Sequence, residues 1–591
     1  MPRSLNFYLL VVIIFIAAVL RFYKLASVPP SLYWDEASLG YNAYSILKSA
    51  RDEHGKFLPF TNFAAFGDYK PPGYIYATVP SIAVFGLNEF AIRFPSAFFG
   101  VLTVLLTYPL TKKLLENGSG WQSLHTPGVR KVKPWHTPGV NQAGLLAFEI
   151  RNLKFEIGNP EAIALLSAFF LAISPWHLQF SRGAFEANLG LFFSVLGIFL
   201  FVKFAQDHPI WILPSMLSFL AGIYTFTGQR LFVPFILIVL VIQFRKQILT
   251  QTKVVVATAL IAAFLLWPLF VFITQTIEGR LRFDEVTIFK DLDPINQSTH
   301  YRQKDNFSWW SNIIHNRRLF YSYEYLTHYF DAFNPRFLFT KGDVNPRLSV
   351  QDTGELYYID LALILVGIYF LFATKQKYRF LIIGWLLISP LGPATARETP
   401  HALRMIHILP TYQILSAIGL YSLYQVIRYK KLLITPAFFL PAIALATAGL
   451  LTLNFLYYLH MYYLHWPINY SGDWQYGYKQ AVQDIKPLYD QVDQIIVTKA
   501  LGRPYIYFLL YTQFDPKKYW QSAQVTKNQF FFIDVEGFDK FKFSDNPGQI
   551  PVVGRTLYVV QSGQLPQDAK KLRTIYDLSL SPVFDIGEKT L

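Results

Sequence analysis

Long apolar runs, each close to the length that crosses a bilayer, recur along almost the whole 591-residue chain. A spanning helix needs about 20 consecutive apolar residues. Runs approaching that length lie at 5–23, 90–111, 160–178, 188–206, 209–226, 231–245, 253–274, 356–374, 378–394, 402–427 and 432–460. They predict a multi-span helical membrane protein with about eleven transmembrane helices. Composition agrees, with 53% hydrophobic and only 15% charged residues. The run Pro71 to Phe85 is also apolar, but it is short and holds Pro71, Pro72 and Pro80. It reads as a re-entrant or interfacial helix. The first run follows Met-Pro-Arg, and no small-x-small cleavage site comes after it. It reads as an uncleaved span rather than a signal peptide.

Charge assigns the sides. With the N-terminus in the cytoplasm, the short basic loops fall together on that side: Lys112-Lys113 with Arg130, Lys131 and Lys133; Lys203; Arg245, Lys246 and Lys253; Lys375, Lys377 and Arg379; Arg428, Lys430 and Lys431. This is the positive-inside pattern. Counting Pro71–Phe85 as a span would reverse every later loop. The outer side then receives 24–89, 179–187, 227–230, the long loop 275–355, 395–401 and the tail 461–591. The net charge of +15 is accounted for by loop Lys and Arg facing an anionic membrane. Without a compact basic and polar domain, nucleic acid is excluded as a partner. The chain has no Cys, which excludes disulfides, thiolate metal sites and Cys nucleophiles.

Two polar stretches stand apart. Residues 116–158 form a cytoplasmic insertion with short duplications, HTPGV at 125–129 and 136–140, and FEIRN and FEIGN at 148–152 and 155–159. Two copies are too few for a solenoid. His125 and His136 read as turn residues rather than metal ligands. The tail 461–591 reads as a small extracytoplasmic α/β domain, with helices at 475–488 and 504–512 and strands at 494–498, 530–534 and 556–560. The remainder, 1–460, forms the membrane domain.

The chemistry-bearing residues gather in the outer segments. Asp35 and Glu36 follow Trp34 near the start of an amphipathic helix in the first outer loop. Helix N-termini favour carboxylates, so capping and catalysis both fit the pattern. Lys70 stands before Pro71-Pro72 at the start of the next apolar helix, with Tyr69 beside it. It suits either a lipid phosphate or a snorkelling role at the interface. The brief loop SRGAFEAN carries Arg182 and Glu186 at i and i+4, where a local ion pair is the plain alternative to a functional site. Arg230 in TGQR and Arg404 in RETPHALR, with His401 close by, put further cations at outer helix mouths. Arg on that side runs against the charge bias, and several together suit a phosphate pocket. No Gly-rich nucleotide loop, GxSxG or HExxH motif occurs, so an activated substrate would have to arrive on a lipid.

In order and spacing, the N-terminal span, WDE, YKPPGYIY, SRGAFEAN, YTFTGQRLFVP and RETPHALRMIHILP resemble the GT-C superfamily of polyprenyl-phosphate-dependent glycosyltransferases. The nearest branch is the protein O-mannosyltransferase and aminoarabinose transferase group. The motifs cover about residues 1–430, and the tail resembles the soluble C-terminal domain of bacterial members. The resemblance implies that Asp35, with Glu36 as neighbour, is the first-loop acidic site and that Lys70 meets the lipid phosphate. It also implies that Glu186 is the second acidic site, where the aminoarabinose branch usually has Asp. An Arg that closely follows the first acidic pair in that branch has no counterpart, since Ala37 and Ser38 stand there. The implied donor is a polyprenyl-phosphate sugar, the implied acceptor a hydroxyl on a protein, lipid or glycan, and no cofactor or metal is expected. The implied setting is the plasma membrane, with one active site on its outer face. A transporter or flippase of lipid-linked sugars shares the many spans and the Arg-lined mouth. It would call for internal repeats and ionisable groups at mid-span, and neither is evident. A membrane scaffold whose outer tail binds a partner is the remaining alternative.

Overall fold

A computed structural model describes residues 3–116, 159–430, 439–527 and 532–591. Nearly all of the insertion at 116–158, with its duplications, lies outside the described residues.

Among the described residues, five helices are long and apolar enough to cross a membrane: Ser4–Phe22, Glu89–Leu115, Glu186–Gln206, Thr252–Gln275 and Ala444–Asn469. A sixth candidate is a pair, Pro160–Ile173 and Pro175–Arg182, bent by 55°. The other apolar runs form shorter helices. In chain order the elements used below are α1 (Arg3–Phe22), α2 (Trp34–Ser49), α3 (Gly73–Phe85), α4 (Glu89–Leu115), α5 (Pro160–Ile173), α6 (Pro175–Arg182), α7 (Glu186–Gln206), α8 (Ile212–Ile223), α9 (Gln229–Gln243), α10 (Thr252–Gln275), α11 (Ile277–Val286), α12 (Asp293–Lys304), α13 (Arg317–Asp331), α14 (Tyr358–Ala373), α15 (Arg379–Ile388), α16 (Thr411–Lys430), α17 (Phe439–His460), α18 (Tyr478–Ile485) and α19 (Tyr505–Thr512).

Two of the runs read as single spans are broken. Residues 160–178 bend where Ser174 caps α6 and Pro175 opens it. Residues 402–427 start as a four-residue turn, Ala402–Met405, and the long helix begins only at Thr411, after Pro410. Proline has no backbone N–H to continue a helix, so each starts a new one. The Pro71–Phe85 run forms the 13-residue α3. At 1.5 Å per residue this reaches about 20 Å, too short to cross.

The first outer loop folds locally. After α2 comes a hairpin, β1 (Phe63–Ala65) with β2 (Asp68–Lys70), in antiparallel register Phe63↔Lys70 and Ala65↔Asp68. It turns through Gly67 at φ 97. Strand alternation puts Asp68 and Lys70 on one face and Tyr69 on the other. The hairpin leads into α3, whose first amide, Gly73 N–H, donates to the Tyr224 carbonyl at 2.9 Å just after α8.

The tail carries a seven-stranded sheet in the order β4-β5-β6-β3-β7-β9-β8. The strands are β3 (Gln494–Thr498), β4 (Gln524–Lys527), β5 (Ile533–Phe538), β6 (Phe541–Ser544), β7 (Arg555–Gln561), β8 (Lys570–Tyr576) and β9 (Pro582–Thr590). β3 pairs in parallel with both β6 and β7, and every one of its residues is buried. A central parallel strand covered on both faces needs such an unbroken apolar run. The sheet does not stand alone. One hydrophobic core joins Leu32, Ala37, Leu39, Tyr41 and Ile46 of the first loop to Val482, Ile495, Phe508, Phe541 and Leu557 of the tail. The Trp34 amide donates to Gln475 at 2.8 Å, and Tyr41 Oη to the Phe514 carbonyl at 3.0 Å.

Candidate active site

Asp35 and Glu36 lie in the first turn of α2, where helix N-termini favour negative charge. Consecutive helical residues point about 100° apart, and the two carboxylates have different surroundings. Glu36 is fully buried. Its oxygens accept from Arg93 Nε and Nη2, both at 2.9 Å, from the Ala184 amide at 2.7 Å and from the Tyr33 amide at 3.4 Å. The Tyr33 contact completes the helix cap. Arg93, on α4, further donates to the carbonyls of Leu25, Pro29 and Ser31. The sequence set Glu36 beside Asp35 as a catalytic candidate; here it is held by Arg93 and two backbone amides, away from the cavity lining. Every side of it is taken, and it pins the first loop to α4 and to the α6–α7 turn.

Asp35 is the carboxylate that remains accessible, 28% exposed, and its Oδ1 lies 2.7 Å from Lys70 Nζ, itself only 6% exposed. Burial works against charge on Lys70, but the carboxylates of Asp35, Glu186 and Asp68 outweigh it and hold the ammonium above its usual pKa. Thus the lysine is a firmly protonated cation, set among three acids that arrive from α2, α7 and β2.

Asp35 lines a cavity of about 520 Å³. Around it stand Tyr33, Trp34, Asp68, Phe185, Arg347, Arg397, Glu398, His401, Arg404 and Arg503. Every segment that charge placed on the outer side contributes, except 227–230. The sequence candidates fare unequally. Arg404 and His401 line the cavity, Arg404 with Nη2 3.8 Å from Glu398. Glu186 opens α7 close enough to act on Lys70. Arg230 opens α9, and its buried Nε and Nη2 have no hydrogen-bond partner.

Two others move away from the chemistry. Tyr69 points off the opposite face of the hairpin, its buried hydroxyl without a partner. Arg182 is not a pocket cation. Its guanidinium is buried and donates to the carbonyls of Leu20, Arg21, Tyr23 and Val28 and to Tyr462 Oη. Nor does it pair with Glu186 along one helix. Extended backbone at Gly183 separates α6 from α7.

Several site residues escaped the sequence reading. Arg93 looks like a lone charge inside an apolar run, and nothing local links it to Glu36. Arg347 lies over the rings of Tyr33 and Trp34, at 5.2 and 5.4 Å, and Arg503 over Phe66 at 4.9 Å. Arg347 was within reach, because it is one more outer arginine running against the charge bias. Arg503 comes from the tail domain, so that domain forms part of the cavity wall.

Residues 11–119 match the family described as dolichyl-phosphate-mannose-protein mannosyltransferase. No curated protein matches significantly. Among solved structures, ArnT from Cupriavidus metallidurans in the apo state aligns with a TM-score of 0.51 at 11% identity, over 98% of this chain and 97% of that one. The same protein bound to undecaprenyl phosphate gives 0.51 at 13% identity with the same coverage. The Archaeoglobus fulgidus oligosaccharyltransferase tethered to an acceptor peptide gives 0.47 at 11% identity, over 86% of this chain. This chain spans only 63% of that protein's length. At such identities the likeness is one of fold. The chain is thus a multi-pass membrane protein of the GT-C fold, and its N-terminal 11–119, which hold Asp35, Lys70 and Arg93, match the mannosyltransferase family.

Proposed function

We propose that the protein is a membrane glycosyltransferase that moves a sugar from a polyprenyl phosphate to an acceptor hydroxyl, with inversion, on the extracytoplasmic face. The observation that carries this reading is the Asp35–Lys70 pair at 2.7 Å, with Asp35 on the wall of a cation-rich cavity and Lys70 buried behind it. The ArnT structure bound to undecaprenyl phosphate supports the donor class, and the match over 11–119 supports sugar transfer.

Asp35 acts as general base and takes the proton of the acceptor hydroxyl. The oxygen attacks the anomeric carbon, the bond to phosphate breaks, and the lipid phosphate leaves with the electron pair. Lys70 receives the charge that develops on the leaving group, helped by the open donors of Arg230 and by Arg404. The resting ion pair has a use in this scheme. A donor phosphate competes for Lys70, and as the lysine turns to it the Asp35 carboxylate is released for the acceptor. Glu186 keeps Lys70 charged and in place. The positive-inside pattern supports an outer-face cavity, which suits a donor carried on a lipid.

The test uses purified protein in lipid with a radiolabelled polyprenyl-phosphate sugar and acceptor membranes. Asp35→Asn is expected to abolish transfer while donor binding persists. Lys70→Ala is expected chiefly to weaken donor binding. Full turnover by Asp35→Asn would overturn the assignment. A lipid-linked sugar carried intact across the bilayer, with no loss of label to acceptor, would favour a flippase.

A further inference from the structure

The long loop at 275–355, assigned by charge to the outer side, has an apolar surface that water does not suit. On α13, Tyr321, Tyr325 and Tyr329 recur every four residues along one face. Their hydroxyls donate to the carbonyls of Asp291 at 2.6 Å, Leu391 at 3.0 Å and Leu387 at 2.8 Å. Leu387 belongs to the last turn of α15, and Leu391 follows just beyond its end. Moving four residues forward on α13, about 6 Å, moves the contact four residues back along the α15 segment. α13 therefore runs antiparallel beside the end of an apolar helix, at its level, rather than projecting away from it.

The opposite face of α13 carries Leu319, Tyr323, Leu326 and Phe330, all more than half exposed. That stripe lies on the same element that rests against α15, whose own Phe380 and Leu387 are also exposed. The connection from α12 to α13 adds Phe307, Trp309, Ile313 and Ile314, with Trp309 at 77% exposure. Between 302 and 318 stand Arg302, Lys304, Arg317 and Arg318 against one acid, Asp305, which faces His315 at 3.1 Å, while Asp293, Glu324 and Asp331 lie outside that stretch. Apolar stripe, exposed tryptophan and clustered Arg and Lys are the signature of a segment lying in a membrane interface.

We infer that residues 293–331 are seated in the leaflet on the cavity side, with the Leu319–Phe330 stripe of α13 in the acyl region and the basic α12–α13 connection on anionic headgroups. The partner is the lipid surface itself. The seat is coupled to the cavity. Thr399 Oγ1 donates to Asp331 Oδ2 at 2.9 Å, the Arg397 amide donates to the Val286 carbonyl at 2.9 Å, and Arg397 Nε lies 3.7 Å from Asp291. Asp331 at the end of the segment, with Val286 and Asp291 just before its start, thereby clasps the strip that presents Arg397, Glu398, His401 and Arg404. Immersion fixes one wall of the cavity relative to the bilayer, independently of what reaction takes place there.

The absence of native cysteine gives a direct test. Single substitutions Trp309→Cys, Leu326→Cys and Phe330→Cys are made in the full chain, labelled with a nitroxide and reconstituted in bilayers of phosphatidylcholine with phosphatidylglycerol. Collision with oxygen is compared with collision with a water-soluble nickel chelate. Phe264→Cys on the exposed face of α10 is the lipid reference, and Leu580→Cys on the tail domain is the aqueous one. Leu326→Cys and Phe330→Cys are expected to give an oxygen-to-nickel ratio within about twofold of the 264 site and about tenfold above the 580 site. Values at 326 and 330 equal to that at 580 would overturn the inference. Position 309 is expected to sit deeper when phosphatidylglycerol is present, and Arg317→Gln with Arg318→Gln is expected to remove that difference. Depth insensitive to lipid charge would overturn the headgroup contact.

Discussion

Asp35 and Glu36 are neighbours in the chain with opposite surroundings. Glu36 has no free side left, while Asp35 keeps a face on the cavity. Arg93→Met would leave the Glu36 carboxylate buried without its partner, and breaking such a pair costs about 3–5 kcal/mol. The expected outcome is a large drop in the thermal midpoint of the solubilised protein, partly restored when Glu36→Gln is added. An unchanged thermal midpoint in Arg93→Met alone would contradict this account. A third acid titrates in a useful range. Burial pushes the Asp343 carboxyl up to about 6 from its ordinary 3.8, opposed by the amides of Asn345 and Ala402 and by Arg404, with Glu398 adding to the rise. Its folded form then holds a proton more tightly than the unfolded chain. Stability from this group falls as pH rises from about 4 to about 6 and is level above that. Asp343→Asn is expected to reduce that slope in thermal unfolding measured across the range. What is left of the slope belongs in part to Glu355, whose buried carboxyl is raised by burial and by the charge of Asp343. At this scale the sequence singled out Asp35 and Lys70, which the fold brings to 2.7 Å, because polar motifs flanked by apolar runs advertise themselves. Arg93 and Arg182 were opaque, because whether a cation meets carbonyls or a ligand is set by chain segments distant in sequence.

The elements repeat the lesson in a different form. Hydropathy locates apolar helices well, since each run must be buried in protein or lipid. It does not find where they break. The breaks at Pro175 and Pro410 lie inside runs apolar enough to hide them, and the β1–β2 hairpin is too short for its alternation to stand out. Helix pairing was equally unreadable. α14 and α16 pack where Gly367 faces Leu415 and Gly419 faces Leu363, and a Cβ on either glycine would overlap the facing carbonyl oxygen. Gly419→Val is expected to separate these helices and lower the thermal midpoint by about 1–2 °C, the shift that about 1–2 kcal/mol produces in a chain of this length. An unchanged midpoint would show that the pair can slide apart freely.

At the scale of the molecule, the tail resembled a separate domain in its composition, yet its packing continues into the first outer loop. Gly502 makes the point. It sits at φ +109, and a Cβ there would meet the Trp34 ring at 2.9 Å. Gly502→Leu, far from Asp35 in sequence, is expected to displace Trp34 and cut transfer about tenfold or more, with donor binding at Lys70 less affected, as misplacement near a reacting centre does. Unaltered turnover would mean that Trp34 tolerates movement. The Trp34–Gln475 bond also spans 441 residues of chain. A ribosome adding about 5–20 residues per second needs about 20–90 s to cover that interval. During this time the first loop waits with its apolar side uncovered. A chain cut short before the tail lacks both the cover of that apolar side and the part of the cavity wall that Arg503 and Phe532 supply.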